Sequence, residues 1–375
     1  MKYLSHIPED ELRGKRVLVR LDLNVPIGEG GTIADTDMDR IVKSLPTLEY
    51  LNRAGAKTVA ISHLGRDPRE TLAPVAAKLA ERIALTFVPS IADERARDAV
   101  DAMVDGDIVL LENVRSDARE EMNDESFARL LAGYADVYVN DAFAVSHRTH
   151  ASVVAVAGLL PAYAGFQMEQ EIAHLSRAFA PASPSMLILG GAKFETKLPV
   201  IHKFIDRVDQ VVIGGALVNA IYRARGYEIG KSLVDADADV SGIVNHPHIV
   251  IPEYVIVENG QGSATKRASE VGADEKIVDV APESFDAMRD LFRDAQFILW
   301  NGPMGNYENG FMAGSESVAR LIASSAAQSV VGGGDSVAVV EQLGLAPQFT
   351  FVSTGGGAML DYLAQGTLPG ITALE

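Results

Sequence analysis

The sequence predicts an α/β fold made of two doubly wound, parallel-sheet (Rossmann-like) domains joined by a helix. Short, continuously apolar runs alternate with stretches that are apolar at helical spacing, which is typical of parallel sheets covered by helices on both faces. The second half of the chain repeats the plan of the first. With 375 residues, the chain is also longer than one hydrophobic core usually supports.

Ten apolar runs are predicted to form buried strands. Those of the first half are residues 16–25, 57–64, 107–113 and 136–143. Those of the second half are residues 185–191, 210–216, 248–257, 297–303, 329–334 and 349–357. The clearest helix patterns are residues 71–84, 125–135, 318–327 and 337–344. In this architecture, ligands bind at the carboxyl ends of the strands.

Residues 165–179 have the pattern of an amphipathic helix. The apolar positions step by four, three and four and share one face: Met168, Ile172, Leu175 and Phe179. The polar positions lie on the other face: Glu169, Glu171 and Arg177. The segment is either a core helix of one domain or the helix between domains. Its place, where the strand pattern starts again, favours the second interpretation.

Composition restricts the possible partners. The formal charge is −18, so binding of nucleic acid or of an anionic membrane over a broad face is not expected. The chain has no cysteine, which excludes disulfides and thiolate metal sites and fits a reducing compartment. The N-terminus lacks the apolar segment of a signal peptide, and no run is long enough to span a membrane. A cytoplasmic protein is therefore expected.

Polar and basic side chains follow the predicted strands of the first half, against the acidic character of the chain. They are Arg20, Asp22, Asn24, His63, Arg66, Glu112, Asn113, Arg115, Asn140, Asp141, His147, Arg148 and His150, with Arg40 before a helix pattern. A single arginine of this kind is usually a surface ion pair. Several at equivalent positions of one sheet would converge on one crevice, where guanidinium groups bind phosphate and carboxylate through paired hydrogen bonds. The first half is expected to bind a small, highly anionic ligand.

The predicted strands of the second half end in glycine-rich loops: residues 189–193, 213–216, 301–305, 331–336 and 353–358. Glycine lets backbone amides approach a phosphate closely, and a following helix N-terminus adds a favourable dipole. One such loop is often only a tight turn, but five in one sheet favour a nucleotide. Lys193 and Lys197 follow the first loop, and a helix would place both on one face. Asp335 is either a magnesium ligand, directly or through water, or a solvated carboxylate at a helix end.

Most familiar motifs are absent. Residues 226–232 look like a phosphate-binding P-loop but have three residues between the glycines where the motif has four, so a turn is expected. The histidines are scattered along the chain, which argues against a zinc site.

Taken in order, these segments resemble the phosphoglycerate kinase family. The similar segments run through nearly the whole chain: RLDLNVP, SHLGR, LLENVR, YVNDAFAVSHRTHAS, LPAYAGFQMEQE, ILGGAKFETKLPVI, IGGA, WNGPMGNYE, GGGDS and STGGGAML. The resemblance implies a domain at 1–165 that binds 3-phosphoglycerate or 1,3-bisphosphoglycerate and an interdomain helix at 166–181. It further implies a domain at 182–355 that binds ATP or ADP with Mg²⁺, and a C-terminal segment at 356–375 that returns to the first domain.

The resemblance also implies roles for individual residues. Contacts with phosphoglycerate are implied for Asp22, Asn24, Arg40, His63, Arg66, Arg115 and Arg148. Contacts with the nucleotide are implied for Lys193, Lys197, Gly214, Glu308, Gly333, Asp335 and Ser336, with Glu308 on the ribose and Asp335 on the metal. Catalysis is implied for Arg40, Lys197, Gly333 and Gly356. The chain departs from the usual family residues at Ser116, Ala144 and segments 192–197, 279–284 and 305–308. None of these departures removes a charged contact; they concern the adenine pocket and turn geometry.

The implied reaction is reversible transfer of the 1-phosphoryl group of 1,3-bisphosphoglycerate to MgADP, by a monomer. The products are 3-phosphoglycerate and ATP. Such a reaction needs in-line positioning, charge neutralisation and exclusion of water, for which domain closure is the expected device. Two alternatives stay open: a relative that binds these ligands without turnover, and a kinase for a different carboxylate.

Overall fold

The computed structural model describes residues 1–34, 38–235 and 238–375, which form two compact units. Unit 1 consists of Met1–Ala173 and Gln365–Glu375, and unit 2 of His174–Ala364. The division falls inside the helix Phe166–Leu175, within the segment expected to join the domains. Residues 356–364, expected to return to the first domain, belong to unit 2.

Unit 1 contains a six-stranded parallel sheet. Its strands are β1 (Arg16–Arg20), β2 (Lys57–Ile61), β3 (Thr86–Val88), β4 (Ile108–Leu111), β5 (Val137–Asn140) and β6 (Ala162–Ala164), in the order β3-β4-β2-β1-β5-β6. Its helices are α1 (Glu9–Leu12), α2 (Asp39–Arg53), α3 (Ala73–Ala80), α4 (Glu94–Asp101), α5 (Glu125–Ala132) and the start of α6 (Phe166–Leu175). The central strand β1 is buried from Val17 to Arg20, as expected for a strand covered on both faces.

Unit 2 contains a second six-stranded parallel sheet and a small antiparallel sheet. Its strands are β7 (Ser185–Leu189), β8 (Gln210–Ile213), β9 (Ile249–Val250), β10 (Tyr254–Asn259), β11 (Gly262–Arg267), β12 (Lys276–Val280), β13 (Phe297–Asn301), β14 (Gln328–Gly332) and β15 (Phe351–Val352). The parallel order is β15-β14-β13-β7-β8-β9, and the antiparallel order is β11-β10-β12. Its helices are α7 (Phe194–Phe204), α8 (Leu217–Ala224), α9 (Pro282–Ala287), α10 (Arg289–Asp294), α11 (Ala313–Ser324), α12 (Gly334–Gln342) and α13 (Gly356–Gln365).

One predicted strand, residues 248–257, is two strands in the structure. Ile249–Val250 pairs with β8 in the parallel sheet, whereas Tyr254–Asn259 pairs with β11 and β12 in the antiparallel sheet. Pro252 lies between them, and proline has no N–H to continue a ladder. The sequence did not predict the antiparallel sheet, because an apolar run does not show which partner it pairs with.

Helix α6 differs from its predicted pattern at one position. Glu171, expected on the polar face, is fully buried. Its Oε1 accepts a hydrogen bond from Nε2 of Gln167, one turn earlier, at 3.1 Å. Helical spacing alone did not reveal this partner.

The C-terminal helix α14 (Pro369–Thr372) packs in unit 1 against the loop that follows β5. The backbone N–H of Gly370 donates to the Ser146 carbonyl at 2.8 Å, and a Cβ at Gly370 would lie 2.8 Å from Val153. By contrast, α13 belongs to unit 2, where the sulfur of Met359 fills the space beside Gly332. This packing is why the segment returning to unit 1 is shorter than expected.

In each parallel sheet, strand order reverses beside the first strand. Strand β1 lies between β2 and β5, and β7 lies between β8 and β13. Ligands of doubly wound proteins bind outside the carboxyl ends of strands at such switch points. The loops after these strands are therefore the place to look for a site. Among the residues described, no helix has the length and apolar character needed to cross a membrane.

Candidate active site

The basic residues of unit 1 follow strands that end at the same level of the sheet. Arg20, the last residue of β1, is in register with Ile61 of β2 and with Asn140 of β5. The loops beyond these strands carry Asp22 and Asn24, His63 and Arg66, and the segment 147–150. One edge of the sheet thus presents the residues that the strand pattern predicted to converge.

Arg40 lies in the first turn of α2 and is held by Asp22 from the loop after β1. Its Nη1 donates to both carboxylate oxygens of Asp22, at 3.0 Å to Oδ1 and 2.8 Å to Oδ2. Asp22 is buried, whereas about a third of the Arg40 side chain is exposed, at 32%. Asp22 therefore fixes the guanidinium of a side chain that is still partly exposed.

The loop after β2 is held from two sides. Oδ1 of Asn24 accepts from the backbone N–H of Gly65 at 2.8 Å, and a guanidinium N–H of Arg115 donates to the Gly65 carbonyl. Arg115 is mostly buried and forms an ion pair with Glu121 at 3.2 Å. Burial lowers the pKa of Arg115, and the positive charge of Arg148 lowers it further. Asn24 and Arg115 thus position the loop that carries His63 and would add polar groups to the same crevice.

His63 is surrounded by positive charge. Its Nδ1 lies 3.2 Å from Nη2 of Arg20. Burial is the largest cause that lowers the pKa of His63 well below its ordinary value. The guanidinium groups that lower it further are those of Arg20, Arg115, Arg148 and Arg40. The imidazole is therefore neutral at physiological pH.

Arg66 and Arg148 are the exposed arginines of the predicted set. Arg148 follows the 3₁₀ turn Phe143–Val145, and its charge acts on His63, Arg115 and His150. No partner joins the Arg66 side chain among the residues that the structure describes. An exposed guanidinium at the mouth of a basic crevice has donors available for an anion.

Several other polar residues after the strands support loops. Glu112 accepts hydrogen bonds from residues 71–72, and Asn113 exchanges two hydrogen bonds with the backbone of Leu64. Asp141 accepts from two backbone N–H groups in the first turn of α6. Through these hydrogen bonds, Glu112, Asn113 and Asp141 support the loops at this edge of the sheet.

Asn140, His147 and His150 complete the predicted set. Asn140 accepts from the backbone N–H of Ala142 at 3.0 Å and so shapes the start of its loop. Nε2 of His147 lies 3.5 Å from Nε of Arg148. Burial lowers the pKa of His150 to about 4, so this histidine is neutral in solution near neutral pH.

Unit 2 has a cavity of about 270 Å³ at the carboxyl ends of its strands. It lies beside the glycine-rich loops that the sequence singled out. Its lining residues are Gly191, Ala192, Gly215, Ala216, Asn219, Leu233, Lys276, Ile277, Val278, Asp279, Pro303, Met304, Gly305, Asn306, Tyr307, Glu308 and Asp335. A cavity of this size, with apolar walls and a few polar groups, suits a small-molecule ligand.

The loops after β7, β8 and β13 interlock through their backbones. The N–H of Gly191 donates to the Pro303 carbonyl at 2.7 Å, and that of Gly215 to the Met304 carbonyl at 3.1 Å. Gly215 has φ +59°, and a Cβ there would lie 2.5 Å from the Gly191 nitrogen. Only glycine is compatible with this approach. The glycine pattern therefore reflects close packing between loops as well as access for a ligand.

Lys193 directly precedes α7 and Lys197 lies in its first turn, just after the cavity-lining residues Gly191 and Ala192. A Cβ built on Gly191 would lie 3.6 Å from Nζ of Lys197, which places the ammonium group beside the loop. Burial lowers the pKa of Lys197, and the charge of Lys193 lowers it further, while Asp335 opposes them. Loss of solvation raises the pKa of Asp335, with Glu308 as the next cause. Lys197 thus interacts electrostatically with Lys193 and Asp335, and Asp335 also interacts with Glu308.

The N-termini of α12 and α13 lie side by side. Gly333 precedes α12 with φ +97°, a conformation that favours glycine, and a Cβ on Gly356 would lie 3.5 Å from its Cα. Gly214 leaves room for Met304, whose sulfur would be 2.5 Å from a Cβ there. Ser336 is fully buried, and its hydroxyl has no hydrogen-bond partner among the described residues. Paired helix N-termini favour an anion at this place.

Comparison with known proteins identifies the family. Residues 7–366 match the family described as phosphoglycerate kinase. The chain belongs to the phosphoglycerate kinase family.

Relatives match the chain over almost its whole length. The phosphoglycerate kinase of Pelotomaculum thermopropionicum is 42% identical over 384 residues, covering 97% of each chain. That of a Roseiflexus species is 42% identical and covers 96% of each chain. Among solved structures, the phosphoglycerate kinase of Coxiella burnetii has a TM-score of 0.85 at 33% identity and covers 99% of this chain and 98% of its own. That of Pyrococcus horikoshii has a TM-score of 0.85 at 31% identity, with coverage of 100% and 98%. The predicted α/β fold with two parallel sheets is confirmed.

Phosphoglycerate kinases use ATP or ADP with Mg²⁺, and the donor set of unit 2 fits such a metal. No group of three acidic or histidine side chains forms a complete metal site among the residues described. Mg²⁺ is often held by one or two carboxylates together with substrate phosphates and water. Asp335 lies in the first turn of α12 and interacts electrostatically with Lys197, so it is a candidate carboxylate for this role.

The remaining cavity wall has polar residues that sequence patterns did not single out. Asn219 is buried; its Nδ2 donates to the Leu233 carbonyl at 2.8 Å, while Oδ1 has no partner among the described residues. Burial raises the pKa of Asp279 to about 6. Asn306 and Tyr307, where the chain departs from the usual residues of phosphoglycerate kinases, also line the wall. A polar residue inside the apolar pattern of α8 was the available signal for Asn219.

Proposed function

We propose that this chain catalyses reversible transfer of the 1-phosphoryl group of 1,3-bisphosphoglycerate to MgADP, with the residues of unit 1 binding phosphoglycerate and those of unit 2 binding the nucleotide. The observation that supports this assignment best is the group of four guanidinium groups around the neutral His63, at the carboxyl ends of the unit 1 strands. A phosphoglycerate carries both phosphate and carboxylate groups, which guanidinium groups bind strongly.

In unit 1, Arg40, Arg66, Arg115 and Arg148 would neutralise the anionic substrate, and Asp22, Asn24 and His63 would orient it. The Asp22 carboxylate contributes mainly by fixing Arg40. Neutral Asn24 and His63 add directional hydrogen bonds without adding charge. This division suits a ligand whose phosphate and carboxylate groups must be distinguished by geometry.

In unit 2, Lys193, Lys197 and the glycine loops would hold the phosphates of the nucleotide, and Asp335 would hold its Mg²⁺. The backbone at Gly214, Gly333 and Gly356 and the hydroxyl of Ser336 would complete the phosphate surroundings. Glu308, exposed at the rim of the cavity, would bind the ribose. Bound Mg²⁺ neutralises phosphate charge, and Lys197 supplies a cation to the transferring group.

No general base is needed, because the acceptor carboxylate of 3-phosphoglycerate is already ionised near neutral pH. The enzyme has to align the two ligands, neutralise the equatorial oxygens and exclude water. We propose that closure of the two units does this when both ligands are bound. Small-angle scattering of the full chain tests closure: compaction is expected only with both ligands present.

A coupled assay of ATP formation on the purified chain tests the activity itself. Turnover with 1,3-bisphosphoglycerate and MgADP supports the proposal. Binding of both ligands without turnover would indicate a non-catalytic relative, and turnover only with another acyl phosphate would indicate a different kinase. We also propose that the protein is a cytoplasmic monomer, and sedimentation equilibrium of the full chain tests its oligomeric state.

A further inference from the structure

A buried series of hydrogen bonds connects Glu120 to His63 beneath the basic crevice. Oε1 of Glu120 lies 2.6 Å from the hydroxyl of Ser152, whose oxygen lies 2.9 Å from Nε of Arg20. Nη2 of the same guanidinium lies 3.2 Å from Nδ1 of His63. Their residual exposures are 0% for Glu120 and Ser152, 1% for Arg20 and 3% for His63. Four polar side chains are thus joined in a region closed to water.

Each donor and acceptor in this series has only one possible role. Arginine can only donate, so the hydroxyl oxygen of Ser152 accepts from Arg20 and its proton is directed to Glu120. The second oxygen of Glu120 accepts from the backbone N–H of Ser152 at 2.8 Å. For the same reason Nδ1 of His63 accepts from Arg20 and carries no proton. A protonated ring would place two donors face to face.

We propose that Glu120, Ser152 and Arg20 are positioning residues that hold His63 in the neutral form with its proton on Nε2. The functional part of this inference rests on the proposed function, in which His63 contacts phosphoglycerate. No described group bonds to Nε2 of His63, so this nitrogen offers one N–H in a fixed direction. It would donate to a substrate oxygen, while the neighbouring guanidinium groups supply the charge.

The charges around the His63 ring favour a neutral imidazole that donates a hydrogen bond, with the guanidinium groups supplying the positive charge. The cations that act on His63 are Arg20, Arg115, Arg148 and Arg40. Arg20 is itself compensated by the negative charges of Glu120 and Asp22. A buried guanidinium without a partner would be strongly destabilising, so Glu120 keeps Arg20 in place and Arg20 keeps the ring neutral. An additional imidazolium would only repel the four guanidinium groups.

Nitrogen NMR of the ligand-free full chain, labelled with ¹⁵N-histidine, reads the tautomer directly. His63 is assigned by loss of its signals in His63→Gln. The neutral Nε2–H pattern is expected from about pH 5.5 to about pH 8.5, a range that spans the ordinary histidine pKa near 6.5. A proton on Nδ1, or a charged ring at neutral pH, would overturn the proposal.

Two variants test whether the series sets the tautomer. Ser152→Ala removes the bridge between Glu120 and Arg20, and Glu120→Gln removes the charge. In both, His63 is expected to populate both neutral tautomers. The KM for 3-phosphoglycerate should rise about 2- to 10-fold, the effect of one misdirected hydrogen bond, with kcat and the KM for MgATP near wild type. If Glu120→Gln does not fold, the spectra of Ser152→Ala and of the wild-type protein test whether the series sets the tautomer of His63.

Tyr138→Phe is the matched control. Tyr138 is fully buried, and its hydroxyl donates to the carbonyl of Ser152 at 2.8 Å without belonging to the series that reaches His63. Its loss should lower the melting temperature but leave the His63 tautomer and both KM values unchanged. A Ser152→Ala protein that behaves like Tyr138→Phe would show that the series only stabilises the fold.

The NMR spectra do not depend on turnover, so failure of the proposed function and failure of the positioning role can be distinguished. Wild-type protein that lacks turnover in the coupled assay but shows the Nε2–H form would refute the proposed function alone. Protein with normal turnover and the Nδ1–H form would refute the positioning role alone.

Discussion

The carboxylate of Asp22 holds the guanidinium of Arg40, with Oδ2 2.8 Å from Nη1. The pair joins the loop after β1 to the first turn of α2, so it fixes an arginine that would otherwise extend from a helix end. The Nη1 amino group of Arg40 donates to both carboxylate oxygens, so the guanidinium is held at one end by a charge-assisted pair of hydrogen bonds. Asp22 is therefore expected to act through Arg40.

A double-mutant cycle tests this relationship. Arg40→Ala should lower kcat/KM for 3-phosphoglycerate about 10-fold or more, since a charge-assisted contact contributes about 1.5–3 kcal/mol. Asp22→Asn alone should also lower it, because Arg40 loses its anchor. In the Arg40→Ala background, Asp22→Asn should have little further effect. Additive losses would show instead that Asp22 contacts the substrate independently.

Arg66 and Arg148 should bind the anionic substrate and not the nucleotide. Arg66→Ala and Arg148→Ala are each expected to lower kcat/KM for 3-phosphoglycerate about 10-fold or more, with the Kd for MgADP unchanged. Steady-state kinetics and calorimetry measure the two quantities. Arg129→Ala is the control, because Arg129 is an exposed arginine of α5 paired with Glu125. If all three variants behave alike, the basic residues have no specific role.

Much of the site was predictable because strand ends have a simple signature. Runs of buried residues located the strands, and the polar or glycine residues beyond them located one edge of each sheet. The sequence pattern could not show which of these polar residues are buried within the fold and which are exposed at the edge. Arg20 is buried against Ser152 and His63, whereas Arg66 is exposed, although both follow apolar runs. Sequence spacing shows at which edge of the sheet a side chain lies, but not how deeply that side chain is buried.

Other features could be identified only from the structure, because the residues involved pair in ways that the sequence pattern does not show. Glu120 lies in the charged run 117–121, which is typical of a solvated surface, yet it is fully buried against Ser152. Glu171 is likewise buried within an apparently amphipathic helix. The antiparallel sheet depends on pairing between β10, β11 and β12, which no single run of residues reveals.

Asp335 should bind the nucleotide through Mg²⁺. Asp335→Asn is expected to weaken MgADP binding at least about 10-fold and metal-free ADP binding much less, because the amide is a poorer ligand for a hard cation. Calorimetry with and without Mg²⁺ measures the difference. Glu316→Gln changes a first-turn acidic residue of α11 and controls for loss of negative charge at a helix N-terminus. Equal losses with and without metal would identify Asp335 as a structural residue of α12.

Lys197 should act mainly on the transition state. Its ammonium lies beside the Gly191 loop, where partial burial lowers its pKa and strengthens its attraction for a developing negative charge. Lys197→Ala is expected to lower kcat about 100-fold or more, with little change in the Kd of either ligand. Lys203→Ala, in the same helix, is the control. A loss confined to nucleotide Kd would make Lys197 a ground-state contact, and a near-normal kcat would make it a surface lysine.

Asp141 should make the stability of the protein depend on pH. Its Oδ1 accepts from the backbone N–H groups of Gln167 and Met168, at 2.8 and 3.2 Å, but burial raises the pKa of the carboxyl to about 7. An unfolded aspartate titrates near 3.9, so the folded state binds the proton more tightly. This contribution to stability is complete below about pH 4 and is lost as pH rises towards 7.

Asp141→Asn removes that titration while keeping an oxygen acceptor for α6. Relative to this variant, wild-type protein should therefore lose stability between about pH 4 and pH 7, by a few kcal/mol at most, since one pKa unit corresponds to about 1.4 kcal/mol. Denaturant unfolding of both proteins across this range measures the difference, in which other titrating groups cancel. Asp136→Asn, at a carboxylate that accepts from the Arg16 backbone, is the control for charge. A difference between wild type and Asp141→Asn that is independent of pH would show that Asp141 is ionised throughout.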